Sequence, residues 1–240
     1  MSVTIGADTL KAVFKAISTQ VETVKVMSGE EGWHLYGRSK DNTSVVDASI
    51  PKEAFASYER WDDIVVDVKD ILEPAAKARD EVEIDISSGR LDIKAGRLSF
   101  RRKLVGDIEV NPRMPKPELD TESIADVGVY ADILSAAAGD MRFKAIRVSQ
   151  TEEGMTLSVF ADDTDIGTVS CTLPADAFVM LSGEGSARYS AGIWYDLMKA
   201  IPSGAEVDML FKKDYPMLMS YTVGGAEVRM MIAPQVEGDE

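Results

Sequence analysis

The chain has 240 residues, 45% of them apolar, and carries 41 Asp and Glu against 26 Lys and Arg, for a net charge of −15 and a pI near 4.6. Such a charge favours solubility and repels bulk polyanions. A lone cysteine, Cys171, excludes an internal disulfide, and no run reaches the ~20 apolar residues of a membrane span, so a soluble protein of a reducing compartment is expected, with no signal-peptide pattern at the N-terminus.

Val3-Thr4-Ile5 alternates as a short strand, and Asp8 is the expected N-cap of a helix. In that helix Leu10, Val13, Phe14, Ile17 and Val21 recur at helical spacing, leaving Lys11 and Lys15 on the other side. Strands are expected over 24–27, 33–36 and 44–50. Val68, Ile71, Leu72 and Ala75 mark a second helix, which Pro74 should kink or end early. Three strands, 82–86, 90–95 and 97–104, follow, joined by the glycine-bearing turns Ser87-Ser88-Gly89 and Ala95-Gly96. Pro112, Pro115 and Pro117 then make 111–118 an extended connector.

The same order returns beyond it. A helix is expected over 130–138, strands over 145–148, 155–160 and 168–173, and a helix over 193–200. Strands at 206–211, 217–223 and 227–232 complete the chain, the last two joined by a hairpin at Gly224-Gly225. Landmarks recur with the elements. Gly154, closing Glu152-Glu153-Gly154, follows Gly32 of Glu30-Glu31-Gly32 by 122 residues; Phe178 of Leu173-Pro174-Ala175-Asp176-Ala177-Phe178 follows Phe55 of Ile50-Pro51-Lys52-Glu53-Ala54-Phe55 by 123. Asp196-Leu197-Met198 before Glu206 answers Asp70-Ile71-Leu72 before Glu81, at an offset of 125. A repeat this long is a duplicated domain rather than a solenoid unit. The expected architecture is α+β: domains 1–110 and 125–240, each an antiparallel sheet with two helices on one face, joined by a connector at 111–124.

Little here supports catalysis. His34, the only histidine, sits among Trp33, Leu35 and Tyr36 and reads as a strand residue. Cys171 alternates with Ser170 and Thr172 as a small packed side chain. The phosphate loop, the dinucleotide glycine fingerprint and Cys/His zinc spacing are all missing. Asp162-Asp163-Thr164-Asp165 lacks the glycine and terminal Glu of a calcium loop and reads as a turn. Neither enzymatic activity nor a cofactor or metal is expected.

The run Ala191-Gly192-Ile193-Trp194-Tyr195-Asp196-Leu197-Met198-Lys199-Ala200-Ile201-Pro202 resembles the last helix of the proliferating cell nuclear antigen family, the archaeal and eukaryotic DNA sliding clamps. Asp214-Tyr215-Pro216-Met217, Phe55-Ala56-Ser57-Tyr58-Glu59 and the ending Met230-Met231-Ile232-Ala233-Pro234-Gln235-Val236-Glu237 are similar to family segments in the right order, and the resemblance covers the whole chain. It implies a head-to-tail homotrimer, a ring of six domains whose sheets form the outer wall and whose helices line a hole for duplex DNA. The ring would be a processivity factor for DNA replication and repair, cytoplasmic at the nucleoid in a prokaryote or nuclear in a eukaryote. Its partners would be a clamp loader and DNA polymerases, ligases and nucleases bound through PIP-box peptides. A monomeric or heteromeric clamp-fold scaffold that does not encircle DNA is the alternative.

Carried over residue by residue, the DNA-facing positions are Lys11, Lys15, Lys69, Lys77, Arg79 and Lys199. The partner pocket falls on Arg38, Thr43, Leu119, Pro216, Met231, Ile232, Ala233, Pro234 and Val236. The subunit interface falls on Phe100, Arg101, Arg102 and Lys103 of one copy and Gly167, Val169 and Cys171 of the next, with the basic run meeting an acidic neighbour; the other reading of that run is an edge guarded by charge. The sequence departs from the family where Ile133–Ala138 carries no basic residue, where Gly192 stands in place of an arginine, and where polar Arg38 and Thr121 occupy usually apolar positions.

Overall fold

Alternation of buried and exposed side chains, period two in the strands and 3.6 in the helices, organises the chain into two units. In the computed structural model, residues 2–87, 89–110, 112–137, 143–161 and 168–235 are described. One unit comprises Met1–Met114 with Thr222–Arg229, the other Pro115–Tyr221 with Met230–Glu240. Among the described residues no helix is long and apolar enough to cross a membrane.

The first unit runs β1 (Ser2–Gly6), α1 (Ala7–Ser18), β2 (Thr23–Gly29), β3 (Gly32–Arg38), β4 (Ser44–Pro51), β5 (Phe55–Tyr58), β6 (Ile64–Asp67), α2 (Val68–Lys77), β7 (Glu81–Ser87), β8 (Arg90–Ala95) and β9 (Leu98–Lys103). Antiparallel pairing orders them β5-β1-β7-β8-β9 and β4-β3-β2-β6. The two helices pack on each other and on both strand groups. Leu10, Val13, Phe14 and Ile17 of α1 and Val68, Ile71, Pro74 and Ala75 of α2 are buried, as are Val3, Ile5, Val82 and Ile84 of the strands. Trp33 holds the far end, its ring 5.0 Å from Phe55 and 5.1 Å from Trp61.

Three local expectations are corrected. Gly6, not Asp8, precedes α1 and offers no side-chain cap; Asp8 lies in the first turn, where its charge suits the positive end of the helix dipole. α1 stops at Ser18, and Val21 falls in the turn before β2. Pro74 does not end α2, which continues to Lys77 before the Ala78 amide closes on the Pro74 carbonyl at 3.0 Å. The ring of Pro74 belongs to the buried stripe, and that packing offsets the one backbone bond it removes.

The second unit runs β10 (Thr121–Asp126), a 3₁₀ turn (Val127–Tyr130) leading into α3 (Ala131–Ala137), β11 (Ala145–Thr151), β12 (Gly154–Phe160), β13 (Val169–Pro174), β14 (Met180–Ser182), β15 (Gly185–Ser190), α4 (Ala191–Ala200), β16 (Glu206–Phe211), β17 (Met217–Val223) and β18 (Ala226–Ile232). The hairpin residues Thr222–Arg229, shared by the last two strands, belong to the first unit. Strand orders are β14-β10-β16-β17 and β13-β12-β11-β15, with α3 on β13 and α4 on β11 and β15. β10 starts at Thr121, so the last four residues of the expected 111–124 connector are strand.

The duplication is visible bond by bond. Gly32 and Gly154 both open the second strand of their group at positive φ, 126° and 149°, opposite Pro51 and Pro174. A Cβ there would collide with the carbonyl of Ile50 or Leu173, so the close approach of the third strand requires glycine at both. Each approach is sealed by one bond, Lys52 N–H to Glu31 O and Ala175 N–H to Glu153 O, both 2.9 Å. Short 3₁₀ turns follow at Lys52–Ala54 and Ala175–Ala177.

Candidate nucleic-acid face, subunit edges and partner groove

The helices expose narrow stripes. On α1 the exposed positions are Asp8, Lys11, Lys15 and Ser18, spaced by the helical repeat after the other face is buried. On α2 they are Lys69, Glu73, Ala76 and Lys77, followed by exposed Arg79. Lys77 Nζ bonds Glu73 Oε1 at 2.8 Å one turn back, and this pair holds the Glu73 carboxyl below its usual range. Lys77 also lies 5.4 Å from the Phe100 ring. The stripes of the second unit differ: Asp132, Ser135 and Ala136 on α3, and Gly192, Asp196 and Lys199 on α4. Lys199 lies 5.9 Å from the Tyr195 ring, and burial raises the Asp196 carboxyl. Cations therefore outnumber carboxylates on the first unit's helices, and carboxylates prevail on the second's.

Among the strands that end their groups with one side unpaired are β9, paired only with β8, and β13, paired only with β12. Leu98 and Val169 are exposed on them. Phe100 and Cys171 are half-buried, and burial together with Asp132 raises the Cys171 thiol. Arg101 Nε bonds Asp92 at 2.7 Å, and Arg102 reaches Asp70 and Glu73, both at 2.8 Å. Two of the three basic side chains of the edge are thus satisfied within their own subunit, leaving exposed Lys103 as the charge an acidic neighbour could meet. Gly167 and Asp162, Asp163 and Asp165 lie outside the described residues.

At one end of the second unit three segments converge on Tyr189, a fully buried side chain of β15. Its hydroxyl donates to the Tyr215 carbonyl at 3.1 Å, its backbone bridges Pro234, and the neighbouring Arg188 carbonyl accepts from Gln235 N–H at 2.8 Å. Lys212 Nζ, 5.5 Å from the Tyr215 ring, pairs with Asp120 at 3.2 Å and so draws in the connector beside half-buried Leu119. Leu119, Pro216, Ala233 and Pro234 are half-buried and Tyr215 is exposed, whereas Met231 and Ile232 are buried in β18 as core residues. Arg38 is exposed and Thr43 half-buried in the first unit, where Thr43 bonds Asp41. Val236 lies outside the described residues.

His34 Nε2 lies 3.2 Å from Asp47 Oδ1, which also accepts from Arg229 at 3.2 Å. Burial works to raise the Asp47 carboxyl, but the hydrogen bonds and electrostatic attraction of His34 and Arg229 prevail and hold it below its ordinary value. Among the described residues no group of three or more His, Cys, Asp and Glu is placed to hold a metal ion.

No family model matches the chain. The curated DNA polymerase sliding clamp of Natronomonas pharaonis is 28% identical over 247 residues, covering 98% of each chain, and that of Archaeoglobus fulgidus is 24% identical over 100% of each. The chain is thus similar from end to end to curated archaeal DNA polymerase sliding clamps. Among solved structures, A. fulgidus PCNA bound to the C-terminal region of FEN-1 superposes with a TM-score of 0.85 at 23% identity over 99% of each chain. PCNA from Thermococcus kodakaraensis gives 0.86 at 18% identity, over 98% of this chain and 99% of that one, and the PCNA2–PCNA3 complex of Sulfolobus tokodaii gives 0.84 at 16%, over 99% and 100%. These likenesses establish the clamp fold.

Within that fold, sequence reasoning found the exposed lysines and the edge strands β9 and β13. It missed Tyr189 and Tyr215. Tyr189 sits in Ser186-Ala187-Arg188-Tyr189-Ser190, whose small and polar residues hid a strand, although Ala187 and Tyr189 do alternate inward.

Proposed function

We propose that this chain is the subunit of a DNA sliding clamp: a head-to-tail homotrimeric ring around duplex DNA that acts as a processivity factor and catalyses nothing itself. The proposed subunit has clamp domains at 1–110 and 125–240 joined through 111–124, and works in the cytoplasm at the nucleoid, or in the nucleus of a eukaryote. The observation that carries the proposal is the end-to-end similarity to curated sliding clamps, supported by unpaired edges at β9 and β13 that head-to-tail copies can join strand to strand.

Acidity is compatible with DNA in this arrangement. A ring that slides needs few backbone contacts, because topology does the holding, and each neutralised phosphate contributes only ~0.9 to the salt slope. Lys11, Lys15, Lys69, Lys77 and Arg79 are the proposed contacts, with Lys199 contributing beside Asp196. The partner groove is proposed in the second unit around Leu119, Tyr215, Pro216, Ala233 and Pro234, where the Tyr189 anchor ties the Tyr215 and Pro234 segments together. Its occupants would be PIP-box peptides of polymerase, loader, ligase and nucleases. The solved A. fulgidus relative with the FEN-1 C-terminal region bound gives a precedent.

Cys171, the single cysteine, supplies the test. One cysteine introduced along β9, scanned over 99–102, is oxidised against it. A ladder of cross-linked species ending at three copies agrees with the ring; no cross-link at any of the positions contradicts it.

A further inference from the structure

β14 is the second unit's other unpaired edge. It pairs with β10 alone, through Glu122↔Ser182, Ser123↔Leu181 and Ile124↔Met180. Its position is built, not frayed. The buried Gln150 side chain donates through Nε2 to the carbonyls of Ser182 at 2.8 Å and Gly183 at 3.1 Å, and Val179 N–H bonds Ile124 O at 2.7 Å. Yet its side chains suit contact better than water. Val179 is 69% exposed, the most of the exposed large hydrophobic residues described, and Met180 is 36% exposed beside it.

The duplication supplies an internal control. The matching edge of the first unit, β5, reads Phe55-Ala56-Ser57-Tyr58 where the second reads Phe178-Val179-Met180-Leu181. The first exposes a methyl and a hydroxyl; the second exposes two large apolar side chains at the same place in the fold. Neither proline nor charge guards residues 177–183, the usual protection of such an edge. Carboxylates flank it instead: exposed Asp176 and Glu184 at its ends, and Glu122 and Asp126 on β10, with no Lys or Arg in either stretch.

We infer that β14 is a docking edge for an extended segment of a partner protein that alternates apolar with basic residues and adds a strand beside Val179–Ser182. Backbone bonds to the open edge would hold it, Val179 and Met180 would receive its apolar side chains, and Asp176 and Glu184 would select Lys or Arg at its ends. Charge argues against a second copy as the occupant. Antiparallel pairing of two β14 strands about Met180 would set Asp176 against the partner's Glu184 at both ends. The edge is a different strand from β9 and β13, so the inference goes beyond the ring and does not depend on it.

The test uses the full chain, the peptide acetyl-Lys-Val-Lys-Val-Lys-Val-Lys-amide, and amide hydrogen exchange resolved by residue. Exchange within Val179–Ser182 should slow by roughly ten-fold at saturation. Reversing both flanking charges, Asp176→Lys with Glu184→Lys, should weaken binding about ten-fold and admit the Glu-for-Lys version of the peptide. Both substitutions are at exposed positions, and unchanged circular dichroism would verify the fold. Protection confined to β9 or β13, absence of protection at saturating peptide, or indifference to the charge reversal would overturn the inference; the last would mean bulk attraction to an acidic protein. Concentration-dependent protection of β14 without peptide would also overturn it, in favour of self-pairing.

Discussion

Asp208 is the side chain whose replacement should stabilise this protein, and only at the right pH. It lies in β16 opposite Ile124 on one side and Ser220 on the other. Its Oδ1 is buried without a hydrogen-bond partner. Burial first, and the nearby Glu122 charge second, push its carboxyl from 3.8 up to about 6. A carboxyl raised in the folded state binds its proton more tightly there than in the unfolded chain. Its charge therefore costs stability at high pH, and the cost is relieved as pH falls through 6 towards 3.8. The full shift corresponds to about 3 kcal/mol, and because the carboxyl keeps partial contact with water, screening reduces this to about 1 kcal/mol. Asp208→Asn removes the charge at nearly constant shape, so it should gain about 1 kcal/mol at pH 8, a rise of about 2–4 °C in Tm. At pH 5, still above the isoelectric point near 4.6, the advantage should fall to about half. Thermal unfolding of both proteins at the two pH values, followed by circular dichroism, measures this. A gain equal at both pH values, or a loss at pH 8, would refute the electrostatic reasoning.

Gly32→Ala should destabilise by about 2 kcal/mol or more, because the new Cβ meets the Ile50 carbonyl at a backbone angle that disfavours it, and Gly154→Ala should cost a similar amount against Leu173; urea unfolding checks both. Arg229→Met leaves the 7%-exposed Asp47 side chain with the His34 hydrogen bond but without its guanidinium partner and should cost about 2 kcal/mol at pH 8. Since the Asp47 carboxyl is depressed in the fold, that cost should persist above the ordinary Asp range and vanish only as pH falls through it, which a pH series of unfolding midpoints would reveal. Lys11→Glu combined with Lys69→Glu should lower the salt slope of binding to a fluorescein-labelled duplex by about two. An unchanged slope would remove these helices from DNA contact.

Much of the fold could be read from periodicity because most elements carry it strongly. Leu10, Val13, Phe14 and Ile17 fill α1, and the alternations of 82–86, 206–211 and 217–223 survive as β7, β16 and β17. The strands that escaped notice, β5, β6, β10, β14 and β15, are short or bury polar groups: Thr121 and Ser123 are inward on β10, so polarity concealed the core face. Pro74 misled in the opposite sense, since a helix breaker can be core when its ring is packed. The exposed lysines followed from the same pattern that buried their neighbours. The Tyr189 anchor did not, because it depends on Tyr215, Pro234 and Gln235, brought beside it by folding alone.

The ring is the central claim, and mass in solution tests it most directly. Light scattering behind size exclusion, across protein concentration and salt, should give three times the 26.1 kDa chain mass as one persistent species. A species that stays at one chain mass under every condition would contradict the homotrimeric ring.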